Sequence, residues 1–272
     1  MKHRDLGLLE GELLLFGGPY SNVQALDAML AYARAAGIGP ERMICTGDVV
    51  AYCGAPAACV AQLCAQGCAV LAGNCEVQLA QGAADCGCGF EEGTTCDRLS
   101  VAWYTFAQAQ LDSDARAWMG QLPDVLSFRH EGKRYGVMHG GATDVARFVW
   151  ETDPDDVFAQ EWEALEAVTG PVDAIIAGHS GLPFQRQTAR GLWVNAGVIG
   201  MPPHDGAPQT RFAVLGAQGV RFEMLDYDVA GAMADMTTAG LPVDYRDALA
   251  SGYWPSEDVL PAALRVAVSD RG

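Results

Sequence analysis

Five short apolar runs, each ending where glycine or a polar side chain begins, constrain this chain more than any other feature. They are Leu13-Leu-Leu-Phe16, Arg42-Met-Ile-Cys45, Ala69-Val-Leu-Ala72, Tyr135-Gly-Val-Met138 and Ala174-Ile-Ile-Ala177. Runs this short and this apolar predict buried strands whose tips open into loops. Four of the five lead directly into polar signatures: Thr46-Gly47-Asp48, Gly73-Asn74-Cys75-Glu76, Met138-His139-Gly140-Gly141 and Gly178-His179-Ser180-Gly181. Asp48, Asn74, His139 and His179 offer a carboxylate, an amide oxygen and two imidazoles. Strand tips can gather such groups although they lie far apart in sequence. A metal site is expected.

The pattern between the runs sets the fold class. A helix is expected over about 22–36, where Leu26, Met29, Leu30 and Ala33 share one face. Further helices are expected over 56–66, 154–167 and 229–239. Two more lie between 97 and 122, broken near Leu111-Asp-Ser113, with Ser113 as N-cap. Strands are expected over 126–128, 184–187, 192–195, 212–215 and 221–225. Alternating β and α in the first half and β-rich sequence in the second predict an α/β fold. Its expected form is a four-layer α-β-β-α sandwich of two mixed sheets. Residues 1–250 are expected to form one domain carrying a Cys/Gly-rich insertion near 82–96, with 251–272 as a C-terminal arm.

In order and spacing these segments resemble the calcineurin-like metallophosphoesterases. The branch they resemble most is the small bacterial one that hydrolyses phosphodiesters, nucleotides and dinucleoside polyphosphates. The resemblance extends from the first strand to about Asp228. It takes in Gly47 to Tyr52 (Gly-Asp-Val-Val-Ala-Tyr) with Pro56 after it, and Val194-Asn195-Ala196-Gly197 followed by Gly200 and Pro202. It implies a metal-dependent phosphoesterase, a hydrolase acting on a small phosphorylated molecule such as a phosphodiester or nucleotide.

The departures from the family pattern fall on one side of the site. The first loop, Asp-x-His-Gly-Asn in the family, reads Gly18-Pro19-Tyr20-Ser21-Asn22 here. The catalytic His of the third motif is Cys75, and the second His of the last motif is Gly181. A full family site holds two ions about 3.5–4 Å apart. Of the four ligands to one ion, only Asp48 remains. The four to the other remain as Asp48, Asn74, His139 and His179. The resemblance therefore implies a one-metal variant holding a single divalent transition metal ion, Zn, Mn, Fe or Co. A catalytically inactive phosphate- or nucleotide-binding regulator on the same fold is the rival reading.

Cys75 stands where the proton donor usually stands. Beside a cation its thiol pKa is expected below the free value of about 8.5, whereas as a small buried thiol it would simply fill space. Asn22 and Arg147 are the candidate substrate-binding residues. Arg147 offers a planar fork to a phosphate, with a surface salt bridge as its alternative. Cys86, Cys88 and Cys96 lie in a Gly-rich stretch and form a candidate second metal or redox site, with free thiols as the third option.

Composition narrows the partners. A formal charge of -17, with Lys2 and Lys133 as the lysines, argues against binding nucleic-acid backbones. Glu10 and Glu12 interrupt the first apolar stretch, and no run approaches the ~18 apolar residues of a membrane helix. A cytoplasmic protein is expected, with a small phosphorylated molecule as partner. A homo-oligomer is compatible with the sequence.

Overall fold

A computed structural model describes residues 1–266. The chain opens on β1 (His3–Leu8) and β2 (Leu13–Phe16), the second wholly buried. Asn22 then caps α1 (Val23–Ala35) by accepting from the Ala25 amide. β3 (Met43–Cys45), α2 (Pro56–Gln66) and β4 (Ala69–Val70) continue the alternation. Pro56 opens α2 and left-handed Gly67 ends it. Next come α3 (Asn74–Gln81), α4 (Thr95–Gln110) and α5 (Ser113–Met119). Asp112, not Ser113, caps α5, its carboxylate accepting from the Ala115 amide at 2.8 Å.

The second half begins with the hairpin β5 (Val125–His130) and β6 (Lys133–Met138), then α6 (Asp155–Thr169) and β7 (Ala174–Ala177). β8 (Phe184–Gln187), β9 (Leu192–Asn195), β10 (Thr210–Gly216) and β11 (Gly219–Leu225) follow. The helices α7 (Val229–Thr238) and α8 (Val243–Ser251) come last.

The strands form two mixed sheets, ordered β1-β5-β6-β7-β9-β8 and β11-β10-β2-β3-β4. β6, β7 and β9 run parallel, as do β2, β3 and β4. Side-chain alternation along each strand divides the core into layers. Leu13 and Leu15 of β2 join Leu126, Phe128 and Val137 between the sheets. Leu14 and Phe16, one residue out of step, pack with α1 and α2 on the outer face. On the opposite outer face, Phe158, Trp162 and Leu165 of α6 cover Ile175 and Trp193. The result is helix, sheet, sheet, helix.

Two elements carry little sequence signal. β1 is a mostly exposed edge strand, so its residues show no apolar alternation; it is held by parallel pairing to β5. α8 buries Tyr245, Ala248 and Leu249 on one face, next to α7, within the span assigned to the main domain. Of the expected arm, residues 267–272 lie outside the described residues. No helix among the described residues is long and apolar enough to cross a membrane.

Candidate metal centre

Asp48, Asn74, His139 and His179 sit in loops or at a helix start just past β3, β4, β6 and β7, two strands from each sheet. Gly47, with φ +101°, prepares the Asp48 turn. A Cβ there would lie 2.8 Å from His139 Nδ1, so the close approach requires glycine. Asp48 itself has φ +53° and His179 φ +60°. The left-handed region costs an ordinary L-residue roughly 1–2 kcal/mol, and here that strain falls on two chemistry-bearing residues.

Glu76 holds the Asp48 turn. Its fully buried carboxylate accepts from the amides of Asp48 at 2.8 Å, Gly73 at 2.9 Å and Val50 at 3.2 Å. Burial, followed by the nearby Asp48 carboxylate, pushes Glu76 up to about 7. Sequence reasoning assigned Glu76 no role. The available signal was a glutamate three residues after Gly73 at the start of α3, the capping-box position.

The four side chains converge. His139 Nδ1 lies 2.6 Å from the Thr46 carbonyl oxygen. A carbonyl only accepts, so Nδ1 carries the proton and Nε2 turns inward. Around Nε2 stand Asp48 Oδ2 at 3.2 Å, Asn74 Oδ1 at 3.2 Å and His179 Nδ1 at 3.1 Å. Asp48 Oδ2 is 3.8 Å from His179 Nδ1. The Asn74 amide is oriented by its Nδ2, which donates to the Cys86 carbonyl at 3.0 Å and leaves Oδ1 facing the cluster.

This donor set fits a cation. A proton on Nε2 can serve one acceptor well, but three surround it, all out of solvent. Ligand atoms around a tetrahedral ion with bonds of 2.0–2.2 Å lie roughly 3.4 Å apart, close to the spacing found. Among the described residues, Asp48, His139 and His179 form the one group of three acidic, His or Cys side chains within reach of a shared ion.

Electrostatics agrees. Burial alone would raise the Asp48 carboxyl, but the His139 and His179 rings hold it well below the usual carboxylate range. Burial opposes a charged His139, yet Asp48 beside it lifts the ring above 6.5. Burial pulls His179 below its ordinary value, outweighing its hydrogen bond to Asp48, so this ring is neutral near pH 7.

The other predicted residues divide. Cys75 is buried beside the cluster: its amide donates to Asp48 Oδ1 at 3.4 Å and its Sγ accepts from Asn74 Nδ2 at 3.6 Å. Burial, then Asp48 and Glu76, push that thiol well above its ordinary value. That direction belongs to the metal-free site, whereas the lowering expected beside a cation concerns the loaded one. Asn22 is fully buried and its carboxamide is used at both ends, Oδ1 capping α1 and Nδ2 donating to the Gly200 carbonyl at 3.2 Å. Arg147 Nη1 donates to the buried Glu161 carboxylate at 2.6 Å and to Gln160 at 2.9 Å. Its Nη1 thus braces the loop after His139. The three loop cysteines do not converge: Cys86 and Cys88 are joined in a disulfide and Cys96 is a free buried thiol.

On the depleted side, aromatic rings fill the space. Gly18 has φ +35°, and a Cβ there would lie 2.6 Å from Tyr20 Cζ. A Cβ on Gly181 would lie 3.3 Å from Trp254 Cζ2. Between these groups and the cluster lies a cavity of about 70 Å³, lined among others by Tyr20, Asp48, Tyr52, Phe148, His179 and Trp254. Phe148 lies against His179 with ring centroids 4.3 Å apart. Sequence reasoning found neither Phe148 nor Trp254, because single aromatics in loops carry no motif.

Residues 21–219 match the model of the calcineurin-like phosphoesterase superfamily domain. An uncharacterized protein of Methanocaldococcus jannaschii is 21% identical over 242 residues, covering 82% of this chain and 90% of that relative. The crystal structure of a metallophosphoesterase from Sphaerobacter thermophilus is similar with a TM-score of 0.69 at 19% identity, over 90% of this chain and 100% of that one. A hypothetical protein from Pyrococcus horikoshii has a TM-score of 0.73 at 17% identity, over the same shares of 90% and 100%. At these identities the two structures speak for the fold.

Proposed function

The chain belongs to the calcineurin-like phosphoesterase superfamily, and on that premise we propose that it is a metal-dependent phosphoesterase working with one divalent ion. Asp48, Asn74, His139 and His179 would hold the ion, and the substrate would be a small phosphorylated molecule such as a phosphodiester or nucleotide. The observation that supports this is the meeting of three lone-pair donors around a fourth, His139 Nε2, at 3.1–3.2 Å. One carboxylate and three neutral ligands leave a divalent ion with net positive charge, suited to a phosphate. Bound there, such an ion supplies Lewis-acid chemistry: it polarises a phosphoryl oxygen and lowers the pKa of water.

The chain's own residues prepare that site. The Thr46 carbonyl fixes the His139 tautomer. Glu76 locks the turn that presents Asp48, and the Cys75 amide, 3.4 Å from Asp48 Oδ1, steadies the carboxylate. In this reading Cys75 holds a proton and does not attack phosphorus. Phe148 covers one side of His179 and limits water there.

One observation favours the rival, an inactive phosphate-binding regulator: Tyr20 and Trp254 stand against Gly18 and Gly181, where the family pattern has an Asp and a His. Bound metal and turnover of a phosphodiester and phosphomonoester panel separate the two in the wild type, Asp48→Ala and Cys75→Ser. The enzyme reading expects metal-dependent turnover that Asp48→Ala abolishes and Cys75→Ser largely keeps. Metal binding with background turnover in every protein would select the regulator.

A further inference from the structure

The depleted half of the site has lost cation ligands, but it has gained a phenol. Tyr20 is 5% exposed and has φ +52°, followed by Ser21 at φ +58°. Two successive left-handed residues with side chains are costly, and for a bulky side chain positive φ is rare. The loop is pinned into this shape. The Tyr20 amide donates to the Asp48 carbonyl at 3.2 Å, the Ser21 amide to the Val49 carbonyl at 2.9 Å, and the Tyr20 carbonyl accepts from Cys53 at 3.1 Å. The ring lies over Gly18 and edge-on to Tyr52, centroids 4.8 Å apart.

So placed, Tyr20 lines the cavity together with Asp48 and His179. Its hydroxyl makes no hydrogen bond to any described residue. A phenol lining a cavity with its donor unused is available to a ligand that enters. Burial, and then Asp48, push its pKa well up, so it remains a protonated donor. No Lys or Arg is among the described residues lining this cavity. The donors an anion meets there are uncharged, the hydroxyls of Tyr20, Tyr52 and Tyr245 among them, and Tyr20 is the one of these three whose amide is bonded to Asp48.

We propose that Tyr20 is a catalytic residue whose hydroxyl donates a hydrogen bond to a nonbridging phosphoryl oxygen, doing by neutral donation part of what a second cation would do by charge. This rests on the metal-dependent reading above. A hydrogen bond to a charged oxygen is worth roughly 1.5–3 kcal/mol, or about 10–100-fold in binding.

The test is Tyr20→Phe, which keeps the ring and removes the donor. Calorimetry would measure the binding of inorganic phosphate to the manganese-loaded wild type and variant, alongside metal content and thermal melting. The expected result is phosphate binding weakened about 10–100-fold, with unchanged metal content. A second readout needs no variant: in wild-type protein loaded with diamagnetic zinc, a tyrosine hydroxyl proton resonance should move downfield when phosphate is added. Equal phosphate affinity in the two proteins, or no such resonance, overturns the role of Tyr20. A wild type that binds neither metal nor phosphate instead overturns the phosphoesterase reading itself.

Discussion

His139 Nε2 and His179 Nδ1 stand 3.1 Å apart, with the Asp48 carboxylate 3.2 Å from the first of them. Two ring nitrogens so close need a proton or a cation between them. Because Asp48 lifts His139 above 6.5 against the effect of burial, the proton occupies that place in metal-free protein at slightly acid pH. The stability this contributes is complete below the unfolded value near 6.5 and is lost as pH rises through the raised folded value.

Metal binding follows the opposite sense, since the ion needs the neutral ring. Apparent metal affinity should fall by up to ~tenfold per pH unit below the His139 value and level off above it. Calorimetric titrations in buffers of different ionisation enthalpy should report about one proton released per ion below the raised His139 value and progressively less as pH rises through it. Proton release that does not change with pH would place the ion elsewhere.

Glu76 gives a second pH signature. Its folded value of about 7 exceeds the ordinary 4.5. A raised carboxyl binds more protons when folded, so its contribution is lost as pH rises between those values. Metal-free wild type should therefore lose stability relative to Glu76→Gln over that interval, by at least ~1 kcal/mol. Parallel denaturation curves for the two proteins across the interval would contradict this.

Restoring the family residues should not restore a second ion. In Gly18→Asp/Gly181→His both positions have positive φ, and Tyr20 and Trp254 stand against the new side chains. Metal content should stay at that of the wild type, and the melting temperature should fall, with the backbone cost alone roughly 1–2 kcal/mol per site. A gain of one ion per chain would show that the rings yield easily.

Glu161 should prove structural. Its carboxylate takes the amides of Ala142 at 2.6 Å and Thr143 at 3.0 Å as well as the Arg147 guanidinium. Removing this buried group in Glu161→Ala should cost about 3 kcal/mol. Arg147 is partly exposed, so Arg147→Ala should cost less, about 1 kcal/mol. If Arg147→Ala instead left stability unchanged and weakened substrate binding, the arginine would be a substrate contact.

The sequence made the strands and their loops legible because burial writes itself into apolar runs, and because the four cluster residues directly follow or closely trail such runs. It could not place β1, whose hold is main-chain pairing at an exposed edge. Nor could it show that Arg147 faces Glu161, a partner fourteen residues away on α6. The aromatic filling by Tyr20 and Trp254 joins residues more than two hundred apart, and only packing reveals it. The Cys86–Cys88 pairing likewise needed the loop's path, because spacing alone left zinc, disulfide and free thiols open.

The most direct test of the whole account is metal content per chain in purified protein reloaded with Zn or Mn, for the wild type, His139→Ala and Asn74→Ala. The account predicts one tightly held ion in the wild type, none in His139→Ala and a weakened one in Asn74→Ala. Two ions in the wild type, or an ion undisturbed by loss of His139, would contradict it.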